Sequence, residues 1–210
     1  MKLYGYFRSS CSYRVRVALG LKGVAYEYVA VSLIKDGGEQ HLPAFLQKNA
    51  MAQVPILEVD GEHLSQSVAI LEYLEERFPS PALLPPAPIE RARVRHAVEI
   101  INSGVQPMQN LATMAIIKGL GGDAQAIAKA ANERGLAALE QIASQHGGAR
   151  LVGDRTTLAD VCLVPQMYSA RRFGVDLTAF PRLTAIDADL ATVAAVAAAH
   201  PDRQPDAPAA

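Results

Sequence analysis

The chain has 210 residues, half of them hydrophobic, with a net charge of −1 and two cysteines. This length and composition fit one or two domains with a real core, and the scattered basic residues argue against nucleic acid as a partner. Two cysteines cannot form a disulfide framework, the start MKLYGYFRSSC has no apolar signal core, and no apolar run could span a bilayer. We therefore predict a cytoplasmic protein with free thiols, without a membrane partner.

The first eighty residues alternate between strand-like and helix-like patterns. Residues 2–7 are short and aromatic, as in a strand, and SYRVRVALGLKG then shows near-helical apolar spacing closed by Gly23. The alternating, β-rich run AYEYVAV (25–31) follows. This β-α-β order within a short length is typical of a parallel strand pair joined by a helix.

The rest of this half contains a helix candidate, a hairpin and a second amphipathic helix. LPAFLQKN (42–49) is the helix candidate, and the Asp60-Gly61 pair between ILEV and EHL predicts a tight hairpin turn. Ser65 or Gln66 then opens SVAILEYLEERF, which has one apolar and one charged face. The predicted order is β-α-β-α-β-β-α.

The second half is predicted to be helical. The proline-rich run PSPALLPPAP (79–88) cannot form regular structure, so it divides the chain. We predict a first domain over 1–80, a linker over 81–88, and a helical domain over 89–210 with a loosely held tail. The helical pattern covers 89–118, 123–145, 157–172 and 181–199.

The run TTLADVCLV predicts a buried helix start in the helical half. Thr157 and Asp160 have the spacing of a capping box, with aspartate in place of the usual glutamate. Cys162 lies one turn later among apolar residues, and we interpret it as inert core.

The run SSCS is the first candidate site. Ser9, Ser10 and Cys11 lie where the first helix should begin, and a helix N-terminus stabilises an anion such as a thiolate. Arg8 and Arg14 add positive charge nearby. A simple capping serine beside a small buried cysteine is the alternative. Arg14 stands where a C-x-x-C motif needs its second cysteine, so a dithiol mechanism is excluded, while a monothiol mechanism at Cys11 stays open.

Two further runs, QVP and LSQS, complete a pattern. Pro55 is compatible with a cis peptide that leaves the Val54 backbone free to pair with an extended ligand, although it also fits an ordinary loop. Gln66 and Ser67 open a helix; one would suffice as a cap, whereas a ligand carboxylate would use both. A thiolate site, a backbone edge and a carboxylate site match the chemical groups of glutathione.

The chain resembles the zeta class of glutathione transferases. SSCSYRVRVAL is similar to the signature of that class, in which tryptophan is common at the place of Tyr13. The resemblance continues through QVPILEVDG, QSVAILEYLEE, GVQPMQNL, GDRTTLADVCLVPQ and HPDRQPD, and so covers nearly the whole chain. It implies an α/β plus all-α protein, with a thioredoxin-like N-terminal domain (βαβαββα) followed by an all-helical domain.

The resemblance also implies site residues. Ser9, Ser10 and Cys11 would be catalytic and surround the glutathione sulfur, with Ser9 as the main stabiliser of the thiolate. Arg8 and Arg172 would hold substrate carboxylates; a surface ion pair is the alternative for Arg172. No metal is implied. The glutathione-binding set would be Ser9, Ser10, Cys11, Ser12, Tyr13, Arg14, Gln40, Val54 paired with the ligand backbone, Pro55 in cis, Gln66, Ser67, Gln106 and Asn110.

The activity implied is glutathione-dependent cis–trans isomerisation of maleylacetoacetate to fumarylacetoacetate, in aromatic amino acid catabolism, by a homodimer. The thiolate would add to the double bond, the bond would rotate, and elimination would return glutathione. The alternatives are isomerisation of maleylpyruvate, transferase action on small α-halo acids, and a non-catalytic interaction module. The last would be expected to lose the SSC cluster, which is present here.

Overall fold

A computed structural model describes residues 1–208 of the chain. Internal contacts divide it into two compact units. The first is Met1–Ala82 together with the segment from Thr192 onward, and the second is Leu83–Ala191. Among the described residues, no helix combines the length and apolarity needed to cross a membrane.

The first unit has a thioredoxin-like sheet in the strand order β2-β1-β3-β4. β1 and β2 are parallel, whereas β1–β3 and β3–β4 are antiparallel, so the predicted β-α-β-α-β-β-α order is confirmed. The elements are β1 (Lys2–Gly5), α1 (Ser10–Leu21), β2 (Glu27–Ala30), α2 (Pro43–Leu46), β3 (Ile56–Val59), β4 (Glu62–Ser65) and α3 (Ser67–Arg77), with short 3₁₀ turns at Lys35–Gly37 and Glu39–His41.

Local chemistry explains these elements. Asp60 and Gly61 both have positive φ, 51° and 85°, as the predicted Asp-Gly hairpin turn requires. Gly5 allows α1 to approach the sheet, because a Cβ there would lie 3.3 Å from the Ser12 side chain and 3.0 Å from the Tyr28 ring. The fully buried Leu3, Ile56 and Leu57 form the sheet's part of the core.

The second unit is helical, but its first predicted helix is interrupted. The pattern over 89–118 predicts one helix, whereas the structure has a π turn at Ile100–Val105 and a 3₁₀ turn at Gln106–Gln109. Pro107 has no N–H to continue the helical hydrogen bonding, and Asn110 caps a new helix. The helices are α4 (Pro88–Glu99), α5 (Leu111–Gly119), α6 (Ala124–His146), α7 (Leu158–Arg172) and α8 (Pro181–Ala191).

The predicted capping box at the start of α7 is confirmed. The Asp160 carboxylate accepts hydrogen bonds from the backbone N–H of Thr157 at 2.8 Å and of Leu151 at 2.9 Å. Burial raises the pKa of Asp160, and these hydrogen bonds oppose the rise. Cys162 is fully buried in the core, as predicted.

The end of the chain differs from the prediction. The helical pattern over 181–199 is divided into α8 and α9 (Ala194–Ala199), and α9 packs against α1 of the first unit. Gly20 permits the close approach, since a Cβ there would meet the Ala195 carbonyl oxygen at 3.2 Å. The segment from Thr192 therefore belongs with the first unit, although sequence patterning assigned all of 89–210 to the helical domain and described the tail as loosely held.

Candidate functional site

The strand register places the three predicted ligand loops at the same end of the sheet, which we call the site edge. Tyr4 pairs with Ile56, and Ile56 pairs with Ser65 on its other side. The chain leaves β1 toward Ser9, enters β3 from Val54-Pro55, and leaves β4 toward Gln66. Three segments that are distant in sequence therefore meet at one place.

The serine cluster lies at the N-terminus of α1. Ser9 is the N-cap, and its Oγ accepts a hydrogen bond from the Ser12 N–H at 3.2 Å. A hydroxyl that accepts in this way keeps its own proton to donate. Ser10 begins the helix and Cys11 follows, and all three side chains of SSC are half-buried rather than sealed in the core. The cluster can therefore present an O–H donor and helix N–H groups to an anion.

Ser12 and Tyr13 are both buried. Ser12 is fully buried, and its Oγ accepts from the Tyr6 N–H at 3.4 Å. Tyr13 is 2 % exposed and packs edge-on against His200. Both side chains point into the protein because they occupy the buried face of α1. The structure thus gives both side chains packing contacts within the first unit.

Arg14 lies behind Ser67, one of the two residues predicted to hold a ligand carboxylate. It is fully buried, and its Nη1 donates to the Ser67 Oγ at 3.1 Å, which ties α1 to the first residue of α3. Gln66 is the exposed N-cap residue of α3, with a φ of 68°, and makes no side-chain capping bond. The first turn of α3 therefore lacks the side-chain cap seen on α1, which leaves N–H groups suited to an anionic ligand.

The Val54-Pro55 peptide is cis, as the resemblance implied. Asn49, which sequence reasoning missed, holds this loop: its Nδ2 donates to the Gln53 carbonyl at 2.8 Å and its Oδ1 accepts from the Met51 N–H at 3.1 Å. The sequence signals that role only through an asparagine in a loop, because the burial of Asn49 becomes visible in the structure.

Gln40 is the most informative residue of the unit. Its side chain is buried, yet its Oε1 has no hydrogen-bond partner among the described residues. It lies against Gly38, where a Cβ would come within 2.7 Å of the side-chain amide. A buried amide oxygen without a partner is costly, and a ligand N–H would satisfy it.

The remaining predicted residues lie in the second unit. Gln106 begins the 3₁₀ turn after the π turn, and the Asn110 Oδ1 caps α5 by accepting from the Ala112 N–H at 3.0 Å. Arg172 is exposed at the end of α7, 5.8 Å from the Phe173 ring centroid. A network missed by sequence reasoning supports the 3₁₀ turn; the amides of Gln109, Asn132 and Gln166 bond to one another.

Comparison with known proteins identifies the family. Residues 1–76 match the model for the glutathione S-transferase N-terminal domain. The maleylacetoacetate isomerase of Rattus norvegicus is 50% identical over 208 residues, which is 99% of this chain and 95% of that protein. The chain belongs to the zeta class of glutathione transferases.

Solved structures of this class agree. A bacterial zeta-class maleylpyruvate isomerase in its holo form has a TM-score of 0.95 at 41% identity, covering 99% of this chain and 100% of that one. The maleylacetoacetate isomerase of Anaeromyxobacter dehalogenans with bound GSH has a TM-score of 0.89 at 51% identity, covering 99% and 97%. Another structure of that isomerase, with a TM-score of 0.87, holds dicarboxyethyl glutathione and citrate in the active site.

The residues present in the first unit fit the cofactor of this family. The Gln40 Oε1 needs a donor, the start of α3 lacks a side-chain cap, and the Ser9 hydroxyl retains a proton to donate. These are complements to peptide N–H, carboxylate and sulfur groups, which glutathione carries.

Proposed function

We propose that this protein is an enzyme that uses glutathione to isomerise maleylacetoacetate to fumarylacetoacetate. The observation that carries the proposal is the convergence of the Ser9, Val54 and Gln66 segments at the site edge. Relatives of the same class that carry this isomerase name span almost the whole chain. When bound, glutathione supplies the thiolate that adds to the cis double bond and leaves after rotation.

The residues of the first unit would bind and orient the cofactor. Ser9, at the start of α1, donates its hydroxyl proton toward the sulfur, and the helix N-terminus adds positive potential. Ser10 and Cys11 line the same turn. The Val54 backbone pairs with the ligand's extended peptide. Gln66 and Ser67 hold the γ-glutamyl end, and Gln40 completes the peptide contacts.

Residues carried over to the second unit and to the substrate complete the proposal. Gln106 and Asn110 are proposed glutathione contacts, although the Asn110 Oδ1 already caps α5, which leaves its amide N–H₂ for that role. Arg8 and Arg172 are proposed clamps for a dicarboxylate. Arg8 is half-buried directly before Ser9, so a cation stands beside the thiolate site and can stabilise negative charge that develops during the reaction.

Turnover tests the proposal directly. In the presence of glutathione, the purified protein should convert maleylacetoacetate to its trans isomer without consuming glutathione. Without glutathione it should be inactive. Maleylpyruvate should be assayed in parallel, because the holo maleylpyruvate isomerase has a TM-score of 0.95 against this chain. A higher kcat/KM for maleylpyruvate would make that compound the substrate. Stoichiometric conjugation or dehalogenation of a small α-halo acid, in preference to isomerisation of either compound, would make the protein a transferase.

The carboxylate site yields a binding prediction. Ser67→Ala and Gln66→Ala should each raise the glutathione Kd about fivefold, since a ligand carboxylate loses a hydrogen-bond partner. Calorimetry measures this, with Ser103→Ala as a control because Ser103 is exposed on the second unit and its hydroxyl donates to the Glu99 carbonyl. Unchanged affinity in both variants would move the carboxylate site elsewhere.

The substrate clamp yields a kinetic prediction. Arg172→Ala should raise KM for the dicarboxylate at least about fivefold while leaving glutathione affinity nearly unchanged. The matched control is Arg171→Ala, because the neighbouring Arg171 is engaged in an ion pair with Asp187 at 2.6 Å. Equal KM values in wild type and Arg172→Ala would assign Arg172 to the surface.

Assembly and setting are also proposals. We place the enzyme in the cytoplasm because both cysteines are free thiols, and in aromatic amino acid catabolism because the resemblance to the zeta class implies it. We propose a homodimer. Exposed apolar side chains on the first unit support an interface: Ile34, Leu42, Leu46 and Met51. Light scattering at working concentration should give twice the chain mass.

A further inference from the structure

A short loop, residues 6–8, connects β1 to Ser9. β1 ends at Gly5 and α1 begins at Ser10, so the backbone of Tyr6, Phe7 and Arg8 sets where Ser9 lies. The Ser9 N–H already donates to the Tyr6 carbonyl at 3.0 Å, which closes a turn. A displacement of Phe7 would therefore move Ser9 with it.

Both backbone groups of Phe7 are held by buried or half-buried charged side chains. The Asp206 Oδ2 accepts from the Phe7 N–H at 2.8 Å, across 199 positions of sequence. The Arg16 Nη2 donates to the Phe7 carbonyl at 2.9 Å, and its Nη1 lies 3.5 Å from the Tyr6 carbonyl. Hydrogen bonds therefore hold both the N–H and the carbonyl of Phe7, and we call this arrangement the clamp.

The two charged residues are themselves fixed. Arg16 is 1 % exposed, and its Nε donates to the Ala199 carbonyl at 3.0 Å. Its guanidinium lies over the Tyr13 and Tyr28 rings at 5.2 and 6.0 Å. Burial lowers the pKa of Arg16, an effect that the surrounding tyrosines oppose. The segment that returns from α9 is therefore anchored beside the Ser9 loop.

Asp206 is placed at a cost. Its Oδ2 also accepts from the Tyr28 hydroxyl at 3.4 Å, while its Oδ1 is buried and has no hydrogen-bond partner among residues 1–208. A charged oxygen in that state is expensive. A helix anchor alone would not need it, since α9 already packs on α1. We assign the Asp206 carboxylate a second role, which is to fix the Phe7 peptide through the Phe7 N–H.

We propose that Asp206 and Arg16 are positioning residues that fix the Ser9 hydroxyl against the thiolate by clamping Phe7. The proposal rests on the proposed function for its kinetic part. Its other part, the pKa of the bound glutathione thiol, depends on the surroundings of the sulfur and not on which substrate the enzyme converts. Residues 192–208 thus do more than pack on α1, because Asp206 also helps to hold the loop that carries Ser9.

The test compares Asp206→Ala and Asp206→Asn with Asp202→Ala. Asp202 lies in the same segment but is exposed, with 74% of its side chain accessible, so the Asp202→Ala variant should behave like the wild type. Asp206→Ala should raise the pKa of the bound glutathione thiol by about half a unit, read from ultraviolet thiolate absorbance against pH. It should also lower kcat at least about fivefold, with a change in glutathione Kd of less than about twofold. Asp206→Asn keeps an acceptor oxygen and should restore most of both.

Several outcomes would overturn the clamp. If the thiol pKa and kcat of Asp206→Ala match those of Asp202→Ala, Phe7 needs no carboxylate. If the glutathione affinity and the melting temperature fall together while the thiol pKa stays constant, the role of Asp206 is structural only. Should Asp206→Ala fail to fold, Asp206→Ser, whose hydroxyl is one bond shorter, replaces it with the same expectations. A wild-type protein inactive on maleylacetoacetate would remove the proposed function, yet a shifted thiol pKa in Asp206→Ala would still support the clamp.

Discussion

Replacing Ser9 with alanine should lower kcat for the isomerisation at least about tenfold, or ~1.4 kcal/mol of barrier. The Ser9 hydroxyl caps α1 as an acceptor and keeps its proton for the cofactor sulfur. Losing that donor raises the thiol pKa and leaves less thiolate at neutral pH. Cys11→Ala should retain appreciable activity and still require glutathione, because the proposed mechanism makes the glutathione thiolate, and not Cys11, the nucleophile.

Loss of the cap must be separated from loss of the hydroxyl. Ser9→Ala also removes the α1 N-cap, which costs about 1 kcal/mol of stability, whereas Ser9→Gly costs only a few tenths. An equal fall in kcat for both variants, with different unfolding midpoints, would assign the effect to the hydroxyl. Ser9→Thr should recover much of the rate. The reverse pattern, an inactive Cys11→Ala beside an active Ser9→Ala, would show that the enzyme's own thiol attacks the substrate.

Replacing Lys22 with methionine should lower the free energy of unfolding of the first unit by about 3–5 kcal/mol. The Lys22 ammonium is fully buried and donates to the Glu75 carboxylate at 2.7 Å. It also donates to the Phe78 and Pro81 carbonyls, at 2.7 and 3.0 Å. Methionine keeps the length of the side chain but removes the charge that neutralises Glu75 and satisfies both carbonyls.

Chemical denaturation measures this effect, with Lys129→Met as the control. Lys129 and Glu133 form an exposed ion pair one helical turn apart, 3.8 Å in length, which should contribute less than about 1 kcal/mol. The double variant Lys22→Met with Glu75→Met should recover part of the loss, because two apolar side chains replace a broken buried pair. A Lys22→Met variant as stable as the control would contradict a structural role for the buried pair.

Local patterns in the sequence predicted local features well. The Asp60-Gly61 turn, the Thr157–Asp160 capping box and the start of α1 near Ser10 all follow from chemistry within a few residues. The zeta-class motifs also predict where glutathione binds, because the SSC, QVP and QS runs each carry their own chemistry. The cis peptide at Pro55 was implied by the same resemblance.

The interruption at 100–110 was missed for a physical reason. Residues 89–118 keep helical spacing throughout, and the sequence does not show that a π turn is stabilised there by packing. α6 packs closely against this turn, since a Cβ at Gly135 would lie 2.2 Å from the Val105 side chain. This tertiary contact and the missing N–H of Pro107 together account for the break.

Sequence patterns predict the order of the elements in the first unit and the chemical types in the candidate site. Packing decides which groups are buried together: the Gln40 Oε1, which has no hydrogen-bond partner among residues 1–208, Arg14 behind Ser67, and Asp206 on the Phe7 N–H. Periodicity and capping act over three or four residues, so they are legible in a linear pattern. The Asp206 bond joins positions 199 residues apart, and such a contact exists only after the sheet, α1 and α9 have packed.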